Sequence, residues 1–471
     1  MIFNSLDFVI FFFIFFGFYL FIPKKIRYIF VLVSSYYFYT FNGSDWIYLI
    51  LGLTIFVYSM GLLITRFNSY KKLILISTLS MLLIVLAYYK YREFIYFGVL
   101  DIFDLQIADF KNIKIYDLPL AISFFTFEFI HYIVDVYKGS KPIKNFFTFA
   151  LFPAFFPTMI AGPIKRYQDF TKQLQHNDAF SLKSEYFSKG FYLILTGLFV
   201  KIVFSDYICL PIVDKVYGNL SSASNLDILL AMVGFSFQIF YDFAGYSLIA
   251  IGLAKLMGID IPINFNSPYL AVNVSDFWKR WHITLSQWLR DYLYIPLGGS
   301  RTSKIKVYRN LLITMTLGGL WHGAGLNFII WGMLHGIALV VYHYYSEWRK
   351  INIVPNNLII LKHTIAVTIT FIFVTCTWVF FRLDSFYDAM FVFNKLLSVG
   401  SYNVLLVNAN EYKLLFIVGL FTFIGPIMLK KIELIIYELL YLRVIYLNIL
   451  LLIILVTIPL FKNPVFIYFK F

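Results

Sequence analysis

Apolar runs as long as a bilayer is thick follow one another along this chain, separated by short cationic gaps. A hydrocarbon core offers backbone groups no hydrogen-bond partners, so runs of this kind fold as helices or close into a barrel. Here they are continuous and of helical length, without period-2 alternation, which disfavours a barrel. The composition agrees, at 61% hydrophobic, 14% charged and a mean hydropathy of +0.78. An all-α polytopic membrane protein follows, with roughly ten to twelve crossings at about 17–25 residues each, plus re-entrant and interfacial pieces. No internal repeat or linker is visible, so residues 1–471 read as a single membrane-embedded domain.

The net charge of +14 does not imply a nucleic-acid partner. The cations sit in loops between apolar spans, as positive-inside topology requires, and they suit anionic lipid heads on the cytoplasmic side. Phe8 to Ile22 closes on Lys24, Lys25 and Arg27, which places that loop inside and the N-terminus outside a cytoplasmic membrane. Tyr28 to Phe41 returns to Asn42, Gly43, Ser44 and Asp45, without a cation. Trp46 to Thr65 leads to Arg66, Lys71 and Lys72, and Leu73 to Tyr89 goes out again. Asp101 to Asp117 holds four aspartates against two lysines and reads as external. Pro119 to Tyr137 then comes back to Lys138, Lys141 and Lys144. The first span has no basic region before it and no small-residue cleavage site, so it reads as retained. The two cysteines, Cys209 and Cys376, form no CxxC pair and signal neither a metal site nor a disulfide framework.

Beyond this point the alternation breaks. Phe146 to Ala161 is short, carries Pro153 and Pro157, and ends in GPIKRYQDF with Lys165 and Arg166, which predicts a re-entrant hairpin with cationic loops at both ends. Phe187 to Phe204 reads as an exit and Asp206 to Asp227 as an outer loop. Ile228 to Met257 contains QIFYDFAGYS, with Asp242 in its middle and Gln238 and Tyr246 one turn away on either side. A polar clamp between helices is the favoured role for Asp242, ahead of a lining position in a reaction cavity. The apolar runs of the C-terminal third carry no legible motif.

Polar chemistry concentrates between Asp276 and Gly336, which hold three of the seven histidines and five of the eight tryptophans. Trp278, Trp281, His282, Leu285, Trp288, Leu289 and Tyr292 recur at steps of three and four and predict one amphipathic interfacial helix. Ser275 or Asp276 would cap it, and Pro296, Gly298 and Gly299 would stop it. His282 lies on its buried face, where a lone histidine is more often structural. Arg301, Lys304, Lys306 and Arg309 read as a cytoplasmic loop whose main role is topological. From it, and from Arg280, a subset is expected to attract the phosphates of a nucleotide-bearing co-substrate. Leu311 to Leu317 re-enters the membrane, and Gly318, Gly319, Gly323 and Gly325 crowd Trp321 and His322, allowing a broken helix or a close helix approach. A histidine there, away from water, is expected to be neutral and so fit for general-base work. Phe328, Trp331 and His335 share the next helix face, with a hydrogen bond to a neighbouring helix the favoured role for His335.

No HExxH, GxSxG, P-loop or strand-linked GxGxxG occurs. A buried histidine base among glycine backbone and indole donors suits transfer of an acyl group from a thioester to a hydroxyl. Two rivals stand beside this reading. A transporter, such as a flippase for lipid-linked sugars, would spread polar residues over several spans and show repeats. A scaffold would use the histidines only as interhelical hydrogen-bond partners.

Asp276 to Gly299 and Leu320 to Gly336 resemble the signature region of the membrane-bound O-acyltransferase (MBOAT) family, in particular its bacterial AlgI/PatA/DltB-like branch. QIFYDFAGYS, GPIKRY and the N-terminal MIFNSLDFVIFF are similar to the same group, so the likeness runs to about Tyr345. It implies a ring of helices around a thin central region, with His322 as catalytic histidine and His282 as a second important one. Trp321, Trp281, Arg290, Asn310, His335 and Asp242 would support or line the site. It further implies acetyl-CoA as donor, no metal, and an extracytoplasmic esterase-like partner that delivers acetyl to a polysaccharide. Peptidoglycan is favoured over alginate or another exopolysaccharide, with D-alanyl transfer to teichoic acid as the alternative.

Overall fold

In the computed structural model of the chain, residues 3–41, 46–95, 118–175, 179–351, 359–398, 405–426 and 440–457 are described, and no strand occurs among them. The expected loops 42–45 and 101–117, and parts of the last two apolar runs, lie outside the described residues. Among the described residues, six helices are long and apolar enough to cross a membrane: Ile47–Arg66, Asn68–Tyr91, Ser184–Tyr217, Asn225–Leu256, Leu326–Trp348 and Ile360–Arg382. Other apolar runs fold as shorter helices, among them Leu6–Phe21.

The chain forms two compact units, Met1–Phe191 with Ala250–Pro262, and Tyr192–Ile249 with Ile263–Phe471. The first unit holds α1 (Leu6–Phe21), α2 (Lys24–Thr40), α3 (Ile47–Arg66), α4 (Lys71–Leu86), α5 (Ile122–Tyr137), α6 (Phe146–Ala154), α7 (Phe156–Met159) and α8 (Tyr167–Gln175). Aromatic rings knit it. Phe11 and Phe15 of α1 meet Phe156 edge-on at 5.6 and 5.2 Å, while Phe13 and Phe21 of the same helix stay 71% and 88% exposed. Such an outer face is stable only against lipid. Pro153 and Pro157 divide the 146–161 run into α6 and α7 as expected, and from Phe149 onward both pieces are buried in protein. The Phe156 N–H at the break donates to Ser35 Oγ at 3.1 Å, which satisfies a group the prolines had freed.

Two cations assigned to loops belong to this core instead. Arg27 is buried and donates to the carbonyls of Ile22, Phe180 and Leu20. Lys165 of the GPIKRY segment is buried, pairs with Glu128 at 2.8 Å, bonds Thr158 and lies 4.9 Å over the Phe152 ring. A guanidinium or ammonium can leave water when carbonyls, a carboxylate or ring faces replace the solvent. Neither residue marks a cytoplasmic surface.

The second unit begins within α9 (Ser184–Phe199), which continues through a π-helical stretch, Val200–Cys209, into α10 (Leu210–Tyr217). Residues 206–217 are therefore helical, correcting the outer loop expected there; the turn that leads into α11 (Asn225–Leu256) covers only 218–224. Asp206, which began the expected loop, is buried against Lys201 of the preceding turn. Next come α12 (Val274–Arg280), α13 (Ile283–Leu289) with a π turn at Arg290–Tyr294, α14 (Lys304–His322) and α15 (Leu326–Ile351). Last are α16 (Ile359–Arg382), α17 (Phe386–Leu397), α18 (Ala409–Phe423) and α19 (Leu440–Thr457). Lys304, Lys306 and Arg309 fall in the first turns of α14 and not in a loop. α14 and α15 form a hairpin so close that a Cβ on Gly319 would meet the Phe328 carbonyl, and one on Gly332 the Met315 carbonyl.

Candidate active site

The helix expected from Trp278 to Tyr292 is two helices. α12 is capped by Asn273, whose side chain accepts the Asp276 N–H, in place of the expected Ser275 or Asp276. The chain then turns extended at Trp281 and left-handed at His282 (φ 41°, ψ 55°) before α13 begins. A non-glycine residue in that region costs about 1–2 kcal/mol and needs outside support. Asn264 supplies it. Its carbonyl accepts the Ile283 N–H at 2.9 Å, its Oδ1 accepts the Thr284 hydroxyl at 2.6 Å, and its Nδ2 donates to Ser247 of α11 at 3.4 Å. The Asn266 N–H donates to the Arg280 carbonyl at 3.0 Å, clasping the break from its other side. Periodicity could not show this, because the partners lie some twenty residues away.

The break turns the His282 ring inward, where it is fully buried. The Phe243 ring meets it edge-on at 4.7 Å, and the Trp321 ring lies 6.3 Å away. Neither ring nitrogen of His282 has a hydrogen-bond partner among the described residues. The residue lies between the candidate spans, and burial pushes its imidazole down to about 3, so the ring is neutral.

α14 runs unbroken through Gly318 and Gly319 and ends at His322, where Gly323 takes up extended backbone. The helix break expected around His322 thus falls just after it, while the close approach expected of the glycines is present in the hairpin. His322 is 5% exposed, and its ring is edge-on to Trp321 at 4.9 Å, Trp331 at 5.2 Å and Phe381 at 5.2 Å. Trp321 therefore lies against both histidines. Trp331 extends the nest to Trp378 of α16, stacked at 5.5 Å, and to His335 at 4.9 Å. His335 Nε2 lies 3.0 Å from Thr377 Oγ1 of α16, the interhelical bond expected of it. Trp281 closes the far wall, 5.0 Å from Trp378, beside a cavity of about 120 Å³ lined by Phe240, Ser267 and Tyr269. Trp378 was invisible in the sequence, since nothing in its apolar run separates it from a lipid-facing aromatic. The indole N–H groups of Trp278, Trp331 and Trp378 are buried without an acceptor among the described residues.

The other candidates lie apart from the nest. Asp242 is buried on α11, 2.5 Å from Lys201, in the helix-to-helix clamp favoured for it. Its neighbour Phe243 is the residue that touches His282. Asn310 is buried and ties down the preceding loop by donating to the Gly299 carbonyl at 3.2 Å. Arg280 pairs with Asp276 at 2.9 Å, Arg290 with Asp291 at 2.7 Å and Lys304 with Glu347 at 2.8 Å, all with substantial exposure. No group of three or more His, Cys, Asp or Glu placed to hold a metal occurs among the described residues.

Residues 32–385 match the model of MBOAT, the membrane-bound O-acyltransferase family. The chain is 37% identical over 389 residues to the peptidoglycan O-acetyltransferase of Helicobacter pylori, covering 76% of this chain and 72% of that protein. It is 37% identical over 413 residues to the probable alginate O-acetylase AlgI of Pseudomonas aeruginosa, covering 86% and 76%. To the teichoic acid D-alanyltransferase of Bacillus subtilis it is 33% identical over 276 residues, covering 54% and 66%. The match spans α11, α12, α13 and the α14–α15 hairpin, so the histidine-bearing nest lies wholly within it. The chain is a multi-pass membrane protein and an O-acyltransferase, and it belongs to the membrane-bound O-acyltransferase family.

Proposed function

We propose that this enzyme takes acetyl from cytoplasmic acetyl-CoA and passes it across the cytoplasmic membrane for O-acetylation of an extracytoplasmic polysaccharide, with peptidoglycan favoured. The relatives that cover most of the chain carry O-acetyltransferase or O-acetylase names, whereas the D-alanyltransferase covers about half, and this favours acetyl over D-alanyl. One observation carries the mechanism: His282 and His322, forty residues apart, are held against the same indole in a buried aromatic nest.

In this reading a ring nitrogen of His322 takes the proton of the incoming hydroxyl as its oxygen attacks the thioester carbonyl. The tetrahedral intermediate collapses, the C–S bond breaks, and the leaving thiolate recovers the proton from the imidazolium. The nest excludes water, which would otherwise compete for the thioester, and strengthens each electrostatic contact within it. Buried indole N–H groups without acceptors are the donors that a developing oxyanion requires, fixed in place beforehand by stacked rings. Arg280 and Lys304, part-exposed among other cations, would draw the donor's phosphates. An extracytoplasmic esterase-like partner would receive the acetyl group and deliver it to the glycan.

His322→Ala tests the base. The variant should insert in the membrane at the normal level while acetyl transfer falls by roughly 10²–10⁴-fold, the usual worth of a positioned base. Mass analysis of wall glycan, and thioester cleavage by the purified protein, read the loss. Unchanged acetyl content would leave the transporter or scaffold reading in its place.

A further inference from the structure

A second ionisable centre lies in the apolar interior, away from the histidines. Lys201 Nζ is 2.6 Å from Asp206 Oδ1 and 2.5 Å from Asp242 Oδ1, and all three side chains are at most 3% exposed. The π-helical stretch Val200–Cys209 creates this contact. In an α-helix, residues five apart point about 140° away from each other. The i→i+5 pattern of a π-helix stacks them on one face, and such stretches recur at functional positions. The neighbouring helix is drawn in at the same level. A Cβ on Gly197 would lie 2.6 Å from the Gly245 carbonyl oxygen, and one on Gly245 would lie 2.8 Å from Lys201 Cβ. Ser205 Oγ donates to the Gln238 carbonyl at 3.2 Å, so residues 201 to 206 run alongside 238 to 245.

The charges in this cluster do not balance as drawn. Two carboxylates share the Lys201 ammonium, and a surplus charge in a low-dielectric interior is strongly unfavourable even after relaxation. Two acceptors at the same level also lack donors: Asp206 Oδ2 and Gln238 Oε1 are buried with no hydrogen-bond partner among the described residues. A surplus negative charge and two orphan acceptors together call for one small positive ligand. We propose that the Lys201–Asp206–Asp242 cluster is an intramembrane proton-binding site, carrying one proton on the Asp206 carboxyl in addition to those on the Lys201 ammonium. Protonation makes the cluster neutral and turns one orphan oxygen into a donor. A sodium ion would meet the same electrostatic need, and the experiment separates the two.

The test is infrared spectroscopy of the full-length protein in lipid nanodiscs at neutral pH, with deuterium exchange to identify carboxylic acid carbonyl bands. Wild type minus Asp206→Asn should show the band of one protonated carboxylic acid. Wild type minus Asp242→Asn should show it too, because the remaining aspartate then has the lysine to itself. Lys201→Met removes the ammonium and should double the band. Loss of no band in either asparagine variant means both aspartates are ionised and overturns the proposal. So does a wild-type melting temperature that rises with sodium concentration but not in Asp206→Asn. Folding supplies an independent arm. Asp206→Asn replaces a neutral acid by its neutral isostere and should fold at wild-type yield, whereas Asp206→Asn with Asp242→Asn strands Lys201 and should lose most folded protein. Equal loss in the single and double variants would also count against the site.

Discussion

His282 shows how much of this chemistry rests on one backbone angle. With its ring buried and neutral, and its ordinary unfolded value near 6.5, the unfolded chain binds the extra proton between about 6.5 and 3. Its contribution to stability is therefore complete above pH 6.5 and is lost as pH falls through that window, at up to about 1.4 kcal/mol per pH unit. His282→Gln cannot take up that proton. The melting temperatures of wild type and variant should diverge between pH 7 and pH 5, with the wild type falling faster. Parallel curves would show that the ring is not held neutral. Asn264 belongs to the same scale. Asn264→Asp keeps the acceptor for Thr284 and should retain most activity, whereas Asn264→Leu frees the left-handed turn. Its kcat should drop by at least tenfold with the donor KM little changed, because the fault lies in where His282 points. His282, Trp321, His322, Trp331 and His335 were legible as a group because they crowd one glycine- and tryptophan-rich stretch. Lys201, Asn264 and Trp378 were not, since each acts through partners brought together only by tertiary packing.

Among the elements, helix existence was easy to read and helix continuity was not. Hydrophobic period predicts an apolar face, but it is blind to a π-helical stretch that keeps the chain helical past Lys201 and through Asp206, where a loop was expected to begin. It is equally blind to one left-handed residue that resets the face at His282. The glycines of the α14–α15 hairpin are the opposite case: the crowding of Gly318, Gly319, Gly323 and Gly325 predicted close approach, and Gly319 does pack against backbone, as does Gly332 across from it. A methyl at Gly332 would meet the Met315 carbonyl and Thr316 Cα, neither of which can rotate away. Gly332→Ala should therefore cost about 1–3 kcal/mol, the usual range for overpacking. It should also lower activity, since α14 ends in His322 and α15 carries Trp331. Gly325→Ala is the control, because its added methyl meets only the Phe328 ring at an ordinary 3.6 Å. Melting in detergent separates the pair, and equal stability would mean that the hairpin spreads at little cost.

For the molecule as a whole, two of the cations that assign orientation lie inside the protein. Arg27 and Lys165 are buried by carbonyls, a carboxylate and aromatic faces, so they report on packing and not on topology. Lys24 and Lys25 in the first turn of α2, Arg66 at the end of α3 and Lys72 in the first turn of α4 are exposed, at the helix ends assigned to the inside. About 1 kcal/mol per surface cation from anionic lipid is enough to bias insertion when several lie on one side. Asp7, exposed in the first turn of α1, should then face outward, and Asn68, exposed between α3 and α4, should face inward. In a background where Cys209 and Cys376 are replaced by serine, Asp7→Cys should react with an impermeant maleimide in intact cells. Asn68→Cys should react only after the membrane is opened. The reverse labelling would put the cationic ends at Lys24, Arg66 and Lys72 outside and overturn the orientation assigned to these spans.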